Sequence, residues 1–294
     1  MSTPSIQWYP GHIAKAERAL KEQLNRVDVV LEVRDARIPM STLHPKLDDW
    51  LAGKKRVLVM NRVDMIVPEV RDRWQQWFRD RGQVAYYTDA NQGKGVGQIA
   101  RAAQAAGSAM NERRKSRGMR SRPVRAVVVG FPNVGKSALI NRLLKRKVVE
   151  SARKAGVTRQ LRWVRISDQL ELLDAPGIIP AQLEDQAAAL KLAICDDIGQ
   201  AAYDTQRVAA SFVDLVKDLD RAEQAIANTE LPVRTQALSK RYELDPRDCT
   251  GETYLQQLAD TRFQGSKERA AQKILNEFRK GILGKLSLEL PPSE

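Results

Sequence analysis

Over about the first 180 residues, short apolar runs rich in Val, Ile and Leu alternate with stretches whose apolar positions recur at helical spacing. Strand and helix patterns taking turns in this way are the signature of βαβ units and a parallel sheet. The runs predict strands over residues 29–33, 56–60, 84–87, 124–129, 161–166 and 170–173, with helices between them, for example over 69–81 and 137–146. Near the start, Ile13, Ala16, Leu20 and Leu24 fall on one face of a further helix. Past Pro180 the strand signal stops, and Ala- and Leu-rich stretches predict helices over 184–202, 205–219, 252–259 and 266–279. The chain thus divides into an α/β part, residues 1–180, and an all-helical part, residues 181–294. A basic stretch over 107–123 reads as a surface linker within the first part.

Charge sharpens that division. The 294 residues carry 49 Lys and Arg against 36 Asp and Glu, a net +13, which calls for an anionic partner. Residues 1–180 hold 34 basic and 17 acidic side chains (+17), whereas 181–294 hold 15 and 19 (−4), tipped by a +5 segment over 261–286. No apolar run approaches the length of a membrane span and the start lacks the apolar core of a signal peptide, so a cytoplasmic protein with no membrane partner is expected. Two cysteines, Cys195 and Cys249, lie far apart in sequence; they exclude a disulfide framework and a cysteine-built zinc site.

The chemistry concentrates at strand ends. Gly130-Phe131-Pro132-Asn133-Val134-Gly135-Lys136-Ser137 follows an apolar strand and opens a helix, the context a Walker A loop requires. In such a loop the backbone NH groups from Asn133 through Val134, Gly135 and Lys136 to Ala138 cradle phosphates. Lys136 reaches the β and γ phosphates, and the Ser137 hydroxyl ligates Mg2+. Asp174, at the end of the strand over 170–173, can hold the Mg2+ through water, and the Gly177 NH can sense the γ-phosphate. Thr158, in the loop between, is either a third Mg2+ ligand or a solvated loop residue.

Base selectivity is encoded upstream. The strand over 56–60 runs into Asn61-Arg62-Val63-Asp64, and a carboxylate at Asp64 can accept both the N1 and N2 hydrogens of guanine, a pattern adenine does not offer. Arg62 stands where a Lys usually covers the base with its stem, and its planar fork makes different contacts. Asp89 and Ala90, ending the next strand, loosely match a Ser-Ala pair that supports the base through backbone NH. The order is base motif, phosphate loop, switch segments, a circular permutation of the common GTPase order. The expected fold is therefore a P-loop GTPase domain with permuted motifs, followed by the helical domain.

That order, with Trp8-Tyr9-Pro10-Gly11-His12 near the start and Asp35-Ala36-Arg37-Ile38-Pro39 after the first strand, closely resembles the ribosome biogenesis GTPase A family, also called RbgA or YlqF, over nearly the whole chain. The resemblance implies a GTP-driven factor in maturation of the large ribosomal subunit, with rRNA and ribosomal proteins as partners and hydrolysis stimulated by the ribosomal particle. Ras-like GTPases orient the attacking water with a Gln after the switch Gly. Here that position is Ile178, and the resemblance gives the role to His12. His44 reads as structural. Asn133 is a candidate K+ ligand, as in related GTPases that lack the Gln, or simply tightens the loop.

Arg113, Arg114, Lys115, Arg117, Arg120, Arg122 and Arg125, and the helix carrying Lys267, Arg269, Lys273, Arg279 and Lys280, are each either a solvated face or a phosphate-backbone contact. Two other functions stay open on sequence: a GTPase in another RNA process such as tRNA modification, and an RNA-binding assembly protein with a vestigial nucleotide site.

Overall fold

The computed structural model describes residues 6, 13–51, 53–145, 162–175, 183–226 and 234–292. In chain order the α/β part comprises α1 (Ile13–Leu24), β1 (Val29–Asp35), α2 (Leu47–Leu51), β2 (Lys55–Asn61), α3 (Pro68–Asp80), β3 (Ala85–Thr88), α4 (Val96–Ser116), β4 (Val124–Val129), α5 (Lys136–Leu143), β5 (Arg162–Ser167) and β6 (Leu170–Asp174). The helical part comprises α6 (Gln186–Cys195), α7 (Thr205–Ile226), α8 (Arg234–Tyr242), α9 (Gly251–Arg262) and α10 (Lys267–Arg279).

The strands form one sheet in the order β3-β2-β1-β4-β6-β5, parallel except for the edge strand β5. Two neighbour pairs are not consecutive in the chain, because β4, which leads into the phosphate loop, lies between β1 and β6. Permuted chain order therefore leaves the carboxyl ends of the strands together, where ligands of open α/β sheets bind.

Side chains alternate across the sheet because the strand period is two. Val29, Leu31 and Val33 of β1 face one way, joining Ala126 and Val128 of β4 and residues of α4 and α5 including Ile99, Ala103, Leu139 and Ile140. Val30, with Val127, Val129 and Leu173, faces Leu20 and Leu24 of α1 on the other side. Leu58 and Met60 of β2 continue that second face under Trp74 and Phe78 of α3. Covered on both faces, β1 is buried throughout, and its mid-strand charges, Glu32 and Arg34, pair with each other at 2.6 Å. The helical part shares the first core: Ile194, Phe212, Tyr254 and Phe278 belong to one apolar cluster with Ile38 and Val33.

Three sequence expectations change. The stretch over 107–123 is helical as far as Ser116, the C-terminal end of α4. Gly107 lies so close to β4 that a Cβ there would stand 2.4 Å from Val124 Cγ1, which is tight packing where a linker was expected. Arg113, Arg114 and Lys115 occupy the last turn, where cations suit the negative end of the helix dipole. The single helix expected over 184–202 stops at Cys195, with Asp196 in the left-handed region (φ 66°) and a short 3-10 turn over Gln200–Ala202. Helix α8 has no counterpart among the predicted helices. The boundary expected near residue 180 falls outside the described residues.

Candidate nucleotide-binding site

Strand register sets out the site. Asp35 pairs with Asn61 and Asn61 with Thr88, so three polar side chains form a row at the carboxyl ends of β1, β2 and β3. Asp174 pairs with Val128, which brings the end of β6 level with the entry to the phosphate loop. The loop, residues 130–137, leaves β4 and enters α5. Its backbone takes positive φ at Gly130 (149°), Asn133 (58°) and Gly135 (100°). Bare backbone is required at two of these: a Cβ on Gly130 would lie 2.2 Å from the Val33 carbonyl, and one on Gly135 would lie 2.1 Å from Asn61 Nδ2.

Lys136 is buried, and its Nζ donates to the carbonyls of Gly130 (3.1 Å) and Phe131 (2.7 Å), curling over the loop it would share with phosphates. Ser137 follows it in the first turn of α5, on the phosphate side of the helix N-terminus.

Asn61 joins the two halves of the site. Its Nδ2 donates to the Val134 carbonyl in the phosphate loop (2.8 Å). Its Oδ1 accepts from the Ala90 NH (3.1 Å) and the Thr88 hydroxyl (3.2 Å) on the base side. The base motif's first residue is thus a strut between loops. This changes the expectation for the following pair: the Ala90 NH is used by Asn61, and the Asp89 carboxylate turns into its own loop, accepting from the NH groups of Asn91 (2.9 Å) and Gln92 (3.0 Å). Arg142 of α5 donates to the Gln92 carbonyl, fixing the same loop from the phosphate side.

Arg62, in the left-handed region (φ 63°), sends its guanidinium to the Asn133 carbonyl (2.6 Å) and lies 3.4 Å from the Asp35 carboxylate. The expected cover for the base is here a second tie to the phosphate loop. Val63 and Asp64 form a 3-10 turn with Met65 at the mouth of the site. Partial burial and the neighbouring Asp89 raise the Asp64 pKa above the ordinary carboxyl value.

A buried ionic group that sequence reasoning did not place in the site lies beneath it. Asp35 and Arg37 form a fully buried pair (2.6 Å), with the Arg37 NH also donating to Asp35. Burial alone would raise the Asp35 pKa, but Arg37 and Arg62 hold it below the usual value. Asp197, equally buried, goes the other way: burial and the Asp35 charge push it well above the ordinary range. The Asp35-Ala36-Arg37 sequence at the end of β1 was the available signal, though not for this role.

These groups converge on one helix end. The last carbonyls of an α-helix lack partners within it. At α6, Arg279 donates to the carbonyls of Ala193 (2.8 Å) and Ile194 (2.9 Å), Arg37 to Cys195 (3.2 Å), and the Asn133 amide to Asp196 (2.6 Å). A phosphate-loop side chain thus caps the first helix of the helical part. The tail adds a further tie: the Leu288 NH donates to the Arg37 carbonyl (3.0 Å), and Glu289 accepts from the NH of Met40 (2.7 Å) and from Lys191 (3.1 Å).

His12, Thr158 and Gly177 lie outside the described residues, as does Ile178, and of Asp174 only the backbone is described. His44 is structural: its Nδ1 accepts from the Lys46 NH and its ring packs on Trp50 at 4.4 Å. Both cysteines are free. No helix among the described residues is long and apolar enough to cross a membrane.

A family model described as a 50S ribosome-binding GTPase matches residues 125–238. The protein named Ribosome biogenesis GTPase A in Bacillus cereus is 33% identical over 294 residues, covering 97% of this chain and 94% of its own. Its namesake in Priestia megaterium is 39% identical over 206 residues, covering 70% and 72%. Among solved structures, GNP-bound YlqF from T. maritima superposes with a TM-score of 0.60 over 95% of this chain and all of that one, at 23% identity, a likeness of fold.

Proposed function

The chain belongs to the ribosome biogenesis GTPase A family, and from that membership we propose that it drives maturation of the large ribosomal subunit by binding rRNA and switching with its nucleotide state. It is a GTPase, converting GTP to GDP and phosphate, and an assembly factor in ribosomal subunit maturation. The observation that carries the nucleotide reading is the Asn61 strut, which couples a bare-backbone phosphate cradle to the loop beside the base carboxylate.

In the proposed reaction Lys136 leaves its two loop carbonyls for the β and γ phosphates, replacing neutral acceptors with charged ones. Asp64 accepts the guanine N1 and N2 hydrogens and so selects GTP over ATP. A Mg2+ ion fits the donor set of hydroxyl and carboxylate oxygens: Ser137 and Thr158 would ligate it directly and Asp174 through water, and it would neutralise charge between the β and γ phosphates. His12 orients the attacking water, which Ile178 is unable to do. Asn133 is the candidate K+ ligand, and turnover faster in K+ than in Na+ is the expected result.

Asn133 also supports the switching reading. It caps α6 at Asp196, and α6 begins nine residues after Gly177. A nucleotide that repositions Asn133 or Gly177 acts directly on the first helix of the helical part. The partner is tested by co-sedimentation with large-subunit precursors in the GTP-bound and GDP-bound states. Nucleotide-dependent association with the precursors is expected; association with tRNA instead would move the function to another RNA process.

A further inference from the structure

The amino-terminal ends of the parallel strands, opposite the nucleotide, carry a charge that the GTPase reaction does not use. Lys55 of β2 pairs with Val29 of β1, and Val29 with Ala126 of β4, so the segments just before these strands form one rim about 10 Å wide. Asp28, at the start of β1, accepts both ends of the Arg122 guanidinium (2.8 and 2.9 Å) and the Arg125 NH (2.9 Å). The end of α4 joins the rim through that contact. Asn111 of α4 exchanges two hydrogen bonds with the Arg122 backbone (3.0 and 3.1 Å), and Arg114 donates to the Arg120 carbonyl (3.0 Å).

The loop after α4 is therefore held in place, and its remaining cations face solvent. Lys115, Arg122 and Arg125 pair with Glu112, Asp28 and Glu171. Arg26, Lys55, Arg113, Arg117 and Arg120 are exposed and make no ion pair among the described residues. Five uncompensated cations drawn from three separate segments, on a rigid rim, are complementary to closely spaced phosphates.

The basic helix α10 lies at the other end. Its Arg279 caps α6 beside Arg37 and the phosphate loop, at the carboxyl ends of the strands. The Arg279 end of α10 and the rim lie at opposite ends of the seven-residue β1, about 20 Å apart along the strand. From these observations, and resting on the RNA-binding reading above, we infer that the rim of Arg26, Lys55, Arg113, Arg117 and Arg120 is a second RNA-docking surface. It grips the phosphate backbone of folded RNA while α10 engages a different segment. Two anchors on one rigid body raise the effective concentration of the second once the first is bound.

The test is fluorescence anisotropy of a labelled hairpin RNA against the full chain across a KCl series, for wild type, the rim variant Arg113→Gln/Arg117→Gln/Arg120→Gln and the helix variant Lys267→Gln/Arg269→Gln. GDP affinity and melting temperature, both expected to stay unchanged, report on folding. The rim variant should lose about 10- to 100-fold in RNA affinity, and its slope of log K against log salt should fall by about 0.7–0.9 for each lost phosphate contact. Wild-type affinity and slope in the rim variant, with loss in the helix variant, would overturn the rim while sparing the RNA reading. No RNA binding by wild type would overturn both. Binding to vesicles of phosphatidylserine that is lost in the rim variant, with RNA binding intact, would reassign the rim to a lipid surface.

Discussion

Replacing Asn61 with Ala removes three hydrogen bonds at the centre of the site and leaves their partners inside the protein. The Val134 carbonyl, the Ala90 NH and the Thr88 hydroxyl all belong to buried residues. Each orphaned polar group costs about 1–3 kcal/mol when the site does not relax. A side-chain-sized cavity between two polar loops admits water, which recovers part of that, so a net loss of about 2–4 kcal/mol is expected. Asn61 lies between the phosphate loop and the base loop, so the loss falls on their mutual alignment. A nucleotide bridging both must then supply the ordering itself. At 1.4 kcal/mol per decade, GDP affinity should weaken by about 30- to 700-fold. Isothermal titration of GDP into wild type and Asn61→Ala measures this directly. Thr88→Val, which removes one of the three bonds, should weaken binding less, and the double variant should lose less than the sum. A Kd for Asn61→Ala within threefold of wild type would refute the coupling of the loops through this side chain.

Arg37→Ala strips the fully buried Asp35 of its main partner and uncaps the Cys195 carbonyl; breaking a buried pair costs about 3–5 kcal/mol, a drop of about 5–8 °C in melting temperature for a chain of this size. Burial and the neighbouring Asp35 raise the Asp197 pKa in the folded protein but not in the unfolded chain, so the stability this group contributes is lost as pH rises above about 4. The melting temperature of Asp197→Asn relative to wild type should therefore climb as pH rises from about 4, and a flat difference would contradict a raised Asp197 pKa. Asp64 must be ionised to accept two guanine hydrogens and its pKa is raised, so GDP affinity should fall as pH drops while still above the ordinary carboxyl pKa, and Asp64→Asn should abolish that dependence.

What was legible in the sequence was whatever short-range pattern dictates. The apolar runs of β1, β2, β4 and β6 announced themselves because a doubly covered strand buries mostly apolar side chains, and the phosphate loop because its glycines, Lys136 and Ser137 are close together in the chain. Helix α4 escaped because it packs with Ala103 and Gly107, residues with little apolar signal, and ends in arginines that resemble a linker. The break at Cys195 escaped because its local cap is Asp196 in the left-handed region, with no Gly or Pro to mark it, and the side chains that take up the last carbonyls, Arg37, Asn133 and Arg279, come from 158, 63 and 85 or 86 residues away in sequence. Asn61 was singled out for the base, but only the sheet register puts it between Val134 and Ala90. The same limit applies to the rim: Arg113, Arg117 and Arg120 were visible in the sequence, but only the fold sets their loop, held through Arg122 by Asp28, beside the start of β1.

That this GTPase works on an assembling large ribosomal subunit is tested most directly by steady-state GTP turnover with and without purified large subunits. Slow turnover by the free protein is expected, with a rise of at least about tenfold on adding subunits, lost in His12→Ala. Turnover that large subunits leave unchanged would contradict it.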